Sequence, residues 1–382
     1  MKCPVCKNEC GEASICNQCG FNEVGAIFLN KEDANLWYDS TLVPYRNKYL
    51  EQFQQFKIED NVLIKIHKEY KQTTKINVPY GVKKISNKAF EGCDWITEVL
   101  LPDTVEEIGT GAFRKCRNLA KILLPSKNVR FGKSVFEDCT NLQSIKLPED
   151  MASIPYRMFF QCKNLSSITL PIKITKIGWQ SFFACYSLTS VEIPDSVKTL
   201  DGCAFGFCES LHYLKIGKGV KKIADGAFRY CGELTTIECD NANYVVQSNS
   251  LINKKTSKLI RGCRSSSIPM GTKIIGEGAF SGCENIQEIQ IPSTVIEIGE
   301  GAFSSCRKLS YIVIPNSVSV IGYNALFTDM DRRINVFCEH IEKPTEWHDV
   351  WYNKFEDLLG SQKCVFWANE WHYDKYGKPT PN

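Results

Sequence analysis

Four cysteines near the start of the chain carry its clearest chemical signal. Cys3-x-x-Cys6 and Cys16-x-x-Cys19 are two tight pairs separated by nine residues. Each pair presents two thiolates from one turn, and four sulfurs complete the closed tetrahedral site that structural Zn²⁺ takes. A segment this short cannot fold on a hydrophobic core, so metal binding would supply its folding free energy. Iron is the weaker fit to the same four sulfurs. The reading without metal is a reactive or disulfide-linked cluster. Cys10 lies outside both pairs and is a competing ligand at most.

Few other residues have the spacing of a reactive site. Lys254, Lys255, Lys258, Arg261 and Arg264 form a basic run with no acid between Leu251 and Met270. Such a run is usually a solvated hairpin tip, and an anionic ligand is the functional alternative. The five histidines, at 67, 212, 340, 348 and 372, form no triad, and Cys338, His340 and His348 have no recurring metal-ligand spacing. No glycine-rich phosphate loop follows a strand, and neither GxSxG nor HExxH occurs. Lys plus Arg is 46 against 43 for Asp plus Glu, a net charge of +3. That balance exerts no global pull toward nucleic acid or an anionic membrane. The expectation is a protein that binds and does not catalyse.

The elements that position these residues follow from a repeat. Phe90, Phe113, Phe136, Phe159, Phe182, Phe205 and Phe228 recur every 23 residues, Phe280 and Phe303 resume the spacing, and Leu326 takes the next place. A cysteine follows each phenylalanine by three: Cys93, Cys116, Cys139, Cys162, Cys185, Cys208, Cys231, Cys283 and Cys306. A fixed period of this length marks a solenoid, in which each coil buries its apolar face only against its neighbours. The unit 283–298, CENIQEIQIPSTVIEI, alternates apolar and polar at Ile289 and Ile291, which is strand periodicity. Pro292 ends that strand, Gly299 lets the chain turn, and Ala302-Phe303 enters a short helical or 3₁₀ turn. Strands of successive coils are expected to pair in parallel as one long sheet. The repeat cysteines read as small buried residues in an unpaired ladder.

The recurring I-G-x-x-A-F-x-x-C-x-x-L-x-x-I-x-L-P resembles the BspA-like, or Treponema-type, leucine-rich repeat over roughly residues 58–340. The resemblance implies a right-handed leucine-rich-repeat superhelix, β-rich α/β. Members of the family are often bacterial or protist surface proteins that bind host or matrix proteins. Residues 1–21 likewise resemble minimal zinc-ribbon knuckles. Residues 22–57 are expected to be a helical linker and cap, with an amphipathic stripe of Tyr45, Tyr49, Phe53 and Phe56 packed on the first coil. The period breaks between Phe228 and Phe280, where residues 240–268 read as a hairpin insert. A similar hairpin, residues 62–66 with 75–79, is expected before the first repeat. Residues 341–382, with Trp347, Trp351, Trp367 and Trp371, read as an aromatic C-terminal cap.

If Ile289 and Ile291 face inward, Glu288 and Gln290 face outward. The first outward row then holds Tyr213 and Tyr311, and the second holds Leu100 and Leu123. Extended repeat surfaces commonly bind proteins, and tyrosine is enriched among hot spots. The expected partner-binding residues are Tyr213, Tyr311, Leu100 and Leu123, with the basic set Lys254, Lys255, Lys258 and Arg261. The expected role is a non-enzymatic scaffold that binds a protein on its sheet face. The alternatives are a surface adhesin and nucleic-acid binding through the ribbon. Residues 1–20 hold five cysteines and no apolar h-region, and no run of 18 apolar residues occurs. With unpaired repeat thiols this favours the cytoplasm; the alternative is the cell surface by another export route.

Overall fold

A computed structural model describes residues 54–327, 334–352 and 363–382, and the chain divides into two units, 1–173 and 174–382. Cys3, Cys6, Cys16 and Cys19, the stretch 30–40 and most of the stripe at 44–56 lie outside the described residues.

Each unit is a β-solenoid whose coils repeat one cross-section. In the first unit Lys75–Asn77, Glu98–Leu100 and Lys121–Leu123 pair in parallel, 23 residues apart in register. A second parallel ladder runs beside it through Val62–Ile66, Lys84–Ile85, Glu107–Ile108 and Arg130–Phe131. In the second unit Ser190–Glu192, Tyr213–Ile216 and Thr236–Cys239 form the wide sheet. Its narrow partner runs through Lys176–Ile177, Thr199–Leu200 and Lys222–Ile223. The expected single long sheet is therefore replaced by two ladders per coil, one wide and one narrow. The ladders are also interrupted: residues 286–291, the unit chosen above as the pattern, form no strand. Ile289 and Ile291 still point inward at 8% and 5% exposure. Alternation thus fixes facing even where the hydrogen-bonded ladder fails.

The phenylalanine column is the core. Ring centroids lie 4.9 Å apart for Phe90–Phe113 and 5.7 and 5.5 Å for the next two steps of the first unit. In the second unit they lie 4.9, 5.7 and 5.3 Å apart for Phe182–Phe205, Phe205–Phe228 and Phe280–Phe303. All these pairs are stacked, and each ring is 2% exposed or less. Six repeat thiols, Cys116, Cys139, Cys162, Cys208, Cys231 and Cys306, donate to the carbonyl of the phenylalanine one coil back, as in Cys116 Sγ to Phe90 O at 3.0 Å and Cys231 Sγ to Phe205 O at 3.1 Å, and Cys283 faces Gly262 O instead. The cysteine is therefore a small apolar filler with one weak, satisfied donor. The repeat cysteines are unpaired by disulfides, as the ladder reading required.

The arc around each phenylalanine is not helical. Residues two before and two after the ring adopt the left-handed conformation in coil after coil: Lys88, Gly111 and Ser134 before it, Gly92, Lys115 and Asp138 after it. A left-handed residue every fourth position breaks any α or 3₁₀ run. Alternate peptide groups therefore bond outward to the next coil. Lys88 N donates to Thr110 O at 3.0 Å, Phe90 N to Ala112 O at 2.8 Å and Gly92 N to Arg114 O at 2.8 Å. Those inter-coil bonds offset the backbone strain. Among the described residues the one helix is the 3₁₀ turn Lys68–Tyr70, so the α component of the expected α/β class is absent there. Gly299 is not left-handed either. A Cβ there would lie 2.8 Å from Glu277 N, so glycine is required by the close approach of the adjacent coil.

The two hairpins also differ from expectation. Val62–Ile66 pairs antiparallel with Phe56–Glu59 around a left-handed Asp60-Asn61 turn, and not with Lys75–Asn77, which opens the regular wide sheet. Phe56, assigned above to a helix, is a buried strand residue because it lies opposite Ile66. The insert is a three-stranded meander: Tyr244–Gln247, Ser250–Asn253 and Lys258–Gly262. Its first turn, Ser248-Asn249, has φ of 48° and 58°, the two-residue hairpin geometry. The third strand joins the narrow ladder of the following coils through Ile274–Ile275, Glu297–Ile298 and Val320–Ile321.

Candidate interaction face

The outward residues of the wide sheets stand where alternation puts them. Leu100 and Leu123 are in direct register and 42% and 51% exposed. Tyr213 is half-buried between Ser190 and Thr236. Partial burial and the neighbouring Glu238 hold its hydroxyl above the usual range. Cross-strand charge pairs line the ladders: Glu98 lies 3.4 Å from Lys75 and 3.2 Å from Lys121, and Glu192 lies 3.7 Å from Lys215. Opposite charges directly across strands stabilise a pair by about 0.2–1 kcal/mol.

Tyr311 has the most developed surroundings. Tyr311–Ile314 pairs in parallel with Asn335–Cys338, which pairs onward with Val365–Phe366. The chain then folds back: Trp371–Tyr373 and Pro379–Pro381 form an antiparallel hairpin. Asp374 organises its turn by accepting from Tyr376 N and Lys378 N, each at 2.8 Å. Trp371 anchors the hairpin, donating from Nε1 to Cys338 O at 3.0 Å and packing 5.5 Å from the Phe337 ring. Lys378 reaches down to Glu288 on the sheet at 3.5 Å. The hairpin thereby roofs a cleft of about 490 Å³ over the sheet. Tyr311, Gln290 and Val313 form its floor, Tyr373 and Pro379 its roof, and Pro292 and Pro315 one wall.

Burial, with Glu288 beside it, pushes the Tyr311 hydroxyl up, so it remains a neutral donor at neutral pH. The two carboxylates are engaged: Glu288 with Lys378, and Glu339 with Asn316 N at 3.0 Å. Among the described residues no histidine or cysteine lines the cleft. Aromatic rings, prolines and a few fixed polar tips are what a polypeptide surface meets in a binding pocket. Sequence reasoning placed Tyr311 on the outward row but missed the hairpin above it. The available signal was Asp374 and Gly377, turn residues between an aromatic stretch and Pro-Thr-Pro.

The basic run does not form one patch. Arg261 is fully buried, donating through Nη1 to Gly278 O and Ser281 O at 3.0 Å and through Nη2 to Cys231 O at 2.6 Å. Lys258 pairs with Asp225, Arg264 with Glu233, and Lys254 donates to Asn241 O. Lys255 is exposed. Arg261 is thereby removed from any surface site, because three carbonyls of the surrounding coils take up its charge. Cys338, His340 and His348 are not gathered: Cys338 is buried, His340 packs on Trp347 and His348 Nδ1 accepts from Val350 N. Among the described residues no cluster of His, Cys, Asp or Glu suits a metal ion. No helix among them is long and apolar enough to cross a membrane.

Comparison with known proteins agrees with this geometry. A leucine rich cell surface protein from Faecalibacterium prausnitzii A2-165 superposes with a TM-score of 0.63 at 24% identity, covering 82% of this chain and 92% of that one. The pneumococcal vaccine antigen PcpA gives 0.50 at 14% identity, covering 82% and 84%. At these identities the likeness shows the fold alone. No curated protein matches the chain. The family described as BspA type leucine rich repeat region matches residues 65–185, 153–262 and 252–343. Those segments run from 65 to 343 of 382 residues without a gap, and the chain belongs to the BspA type leucine rich repeat family.

Proposed function

We propose that the chain is a non-enzymatic scaffold that binds a protein on the outward face of its wide sheets, with the roofed cleft at Tyr311 as the principal contact and Tyr213 as a second. The cleft carries this reading: an aromatic floor and roof, with its carboxylates already engaged, offers contact area and no reactive pair. Repeat scaffolds of this family are compatible with protein binding. Capture from a lysate by the wild type and by a Tyr213→Ala, Tyr311→Ala double variant tests it. A tyrosine hot spot contributes at least about 2 kcal/mol, so affinity is expected to fall by roughly 30-fold or more. Equal recovery of every partner by both proteins removes this face from consideration.

Display on the cell surface is the second reading. It is supported by the printed names of the two fold neighbours, a cell surface protein and a vaccine antigen. The thiol ladder does not oppose it. Burial pushes the Cys93 thiol up to about 12 and pushes Cys116, Cys208 and Cys306 well up, so these four stay protonated. Cys231 is the exception: against its burial, the Cys208 thiol and the Arg261 guanidinium hold it below its ordinary value. Protease treatment of intact cells separates the two locations: cleavage of the chain places it outside, and full protection places it inside.

Cys3, Cys6, Cys16 and Cys19 are proposed to hold one structural Zn²⁺ through four thiolates. Elemental analysis of the full chain is expected to return about one zinc per chain, lost in a Cys3→Ser, Cys6→Ser double variant. Stoichiometric iron, or no metal in protein purified without chelator, rules the zinc out.

A further inference from the structure

We propose that the roofed cleft accepts an arginine side chain of the partner protein, with the guanidinium laid between the Tyr311 and Tyr373 rings and facing Glu339; this rests on the cleft being the principal protein contact. Charge sets the sign of the occupant. Glu288 and Glu339 line the cleft, and among the described residues no lysine, arginine or histidine lines it. A third carboxylate, Asp374, follows Tyr373 in the roof hairpin.

Only one of the three is neutralised. Lys378 lies 3.5 Å from Glu288. Glu339 accepts from Asn316 N, and Asp374 Oδ1 accepts from Tyr376 N and Lys378 N. Those donors are neutral amides, which satisfy an oxygen and leave the carboxylate its charge. Among the described residues no cation lies within ion-pair distance of Glu339 or Asp374. Both tyrosines register the resulting field. Burial, then Glu288, Tyr373 and Asp374 hold the Tyr311 hydroxyl above its usual range, and burial with Glu339 does the same at Tyr373. An acidic segment would meet repulsion here, and an uncharged one would leave two carboxylates without a counter-charge.

Shape selects guanidinium over ammonium. An ammonium is a compact, strongly hydrated point, whereas a guanidinium is planar, more weakly hydrated, and stacks on an aromatic face while its fork meets a carboxylate. The cleft offers an aromatic floor and an aromatic roof, with Glu339 on its lining. The roof ring is open to an entering group, Tyr373 being 54% exposed. Met270, 74% exposed, and Val313 flank the same space and can cover the aliphatic stem. Arginine and tyrosine are both enriched among the residues that dominate interface affinity.

The probe is a blocked alanine–arginine–alanine tripeptide, titrated into the full chain and followed by nuclear magnetic resonance. Its citrulline counterpart keeps the planar end group and loses the charge, and is expected to bind roughly fivefold more weakly or worse. The lysine counterpart keeps the charge and loses the plane, and is expected to fall between the two. A Glu339→Gln, Asp374→Asn double variant keeps an acceptor for each of the three amides and removes both charges. With its melting measured in parallel, it is expected to lose at least about fivefold in affinity for the arginine peptide and nothing for the citrulline one. No binding of the arginine peptide, equal affinity for citrulline, tighter binding of lysine, or unchanged affinity in the charge variant overturns the proposal. If lysate capture still depends on Tyr213 and Tyr311 in that event, the cleft stays a protein contact of another kind; if it does not, the reading beneath fails as well.

Discussion

Phe205→Ala is expected to cost about 3–5 kcal/mol of stability. The ring is fully buried and stacked on Phe182 at 4.9 Å and Phe228 at 5.7 Å. Removing it leaves a hollow that its neighbours cannot close, because each is held by its own inter-coil bonds. Phe205 N donates to Ala227 O and Phe182 N to Ala204 O, both at 2.8 Å. The loss falls on two coil interfaces at once, and a solenoid's stability is approximately a sum of such interfaces. Urea unfolding followed by circular dichroism and by tryptophan fluorescence is expected to shift to lower midpoint and to split, since Trp347 and Trp351 report the far end of the second unit. Phe205→Leu, which keeps most of the volume, is expected to cost under about 1.5 kcal/mol. A loss near zero for the alanine variant removes the column from its place as the core.

Arg261→Met is expected to cost about 2–4 kcal/mol. At the insert the coil has no phenylalanine: Gly262 takes that place, with its N–H donating to Ala279 O at 2.9 Å as a phenylalanine N–H does elsewhere. A Cβ at Gly262 would lie 2.1 Å from the Phe280 ring, so the ring closes directly over the glycine. The guanidinium of Arg261 fills the space beside it. It ties Cys231 O of the preceding coil to Gly278 O and Ser281 O of the following one. Methionine matches its length and supplies no donor, so Ser281 O loses its partner, at about 1–3 kcal/mol, and Gly278 O and Cys231 O each lose one bond while keeping Ser281 N and Oγ and Leu234 N respectively. Relief of the buried charge returns part of that loss. Arg261→Lys keeps the charge but cannot span two coils, because its donors radiate from one atom. It is expected to fall between wild type and Arg261→Met. Hydrogen exchange at 228–233 and 278–283 reads the effect locally, and a lysine variant as stable as wild type excludes the bridging role.

Much of the candidate face was legible from residue order. Tyr213, Tyr311, Leu100 and Leu123 all stand outward because a period of two forces it, and this holds in coils with and without a ladder. The roof over Tyr311 was not legible, because the contact joins Glu288 to Lys378, 90 positions apart, through a short hairpin. The burial of Arg261 was hidden for a related reason. A lysine- and arginine-rich run with no acid reads as solvated, and only the missing phenylalanine of that coil opens a cavity that a guanidinium fits.

The amino-acid order alone determined the period, the inward column of phenylalanine and cysteine, and the facing of each strand residue. These depend on identical surroundings recurring every 23 positions, which a linear string records directly. Tertiary structure alone decided which coils share a ladder, that the arcs are chains of turns and not helices, and what fills the insert's coil, where Gly262 stands in place of the ring. Those outcomes depend on groups such as Phe90 N with Ala112 O and Arg261 with Cys231 O, which meet only after the coils have stacked.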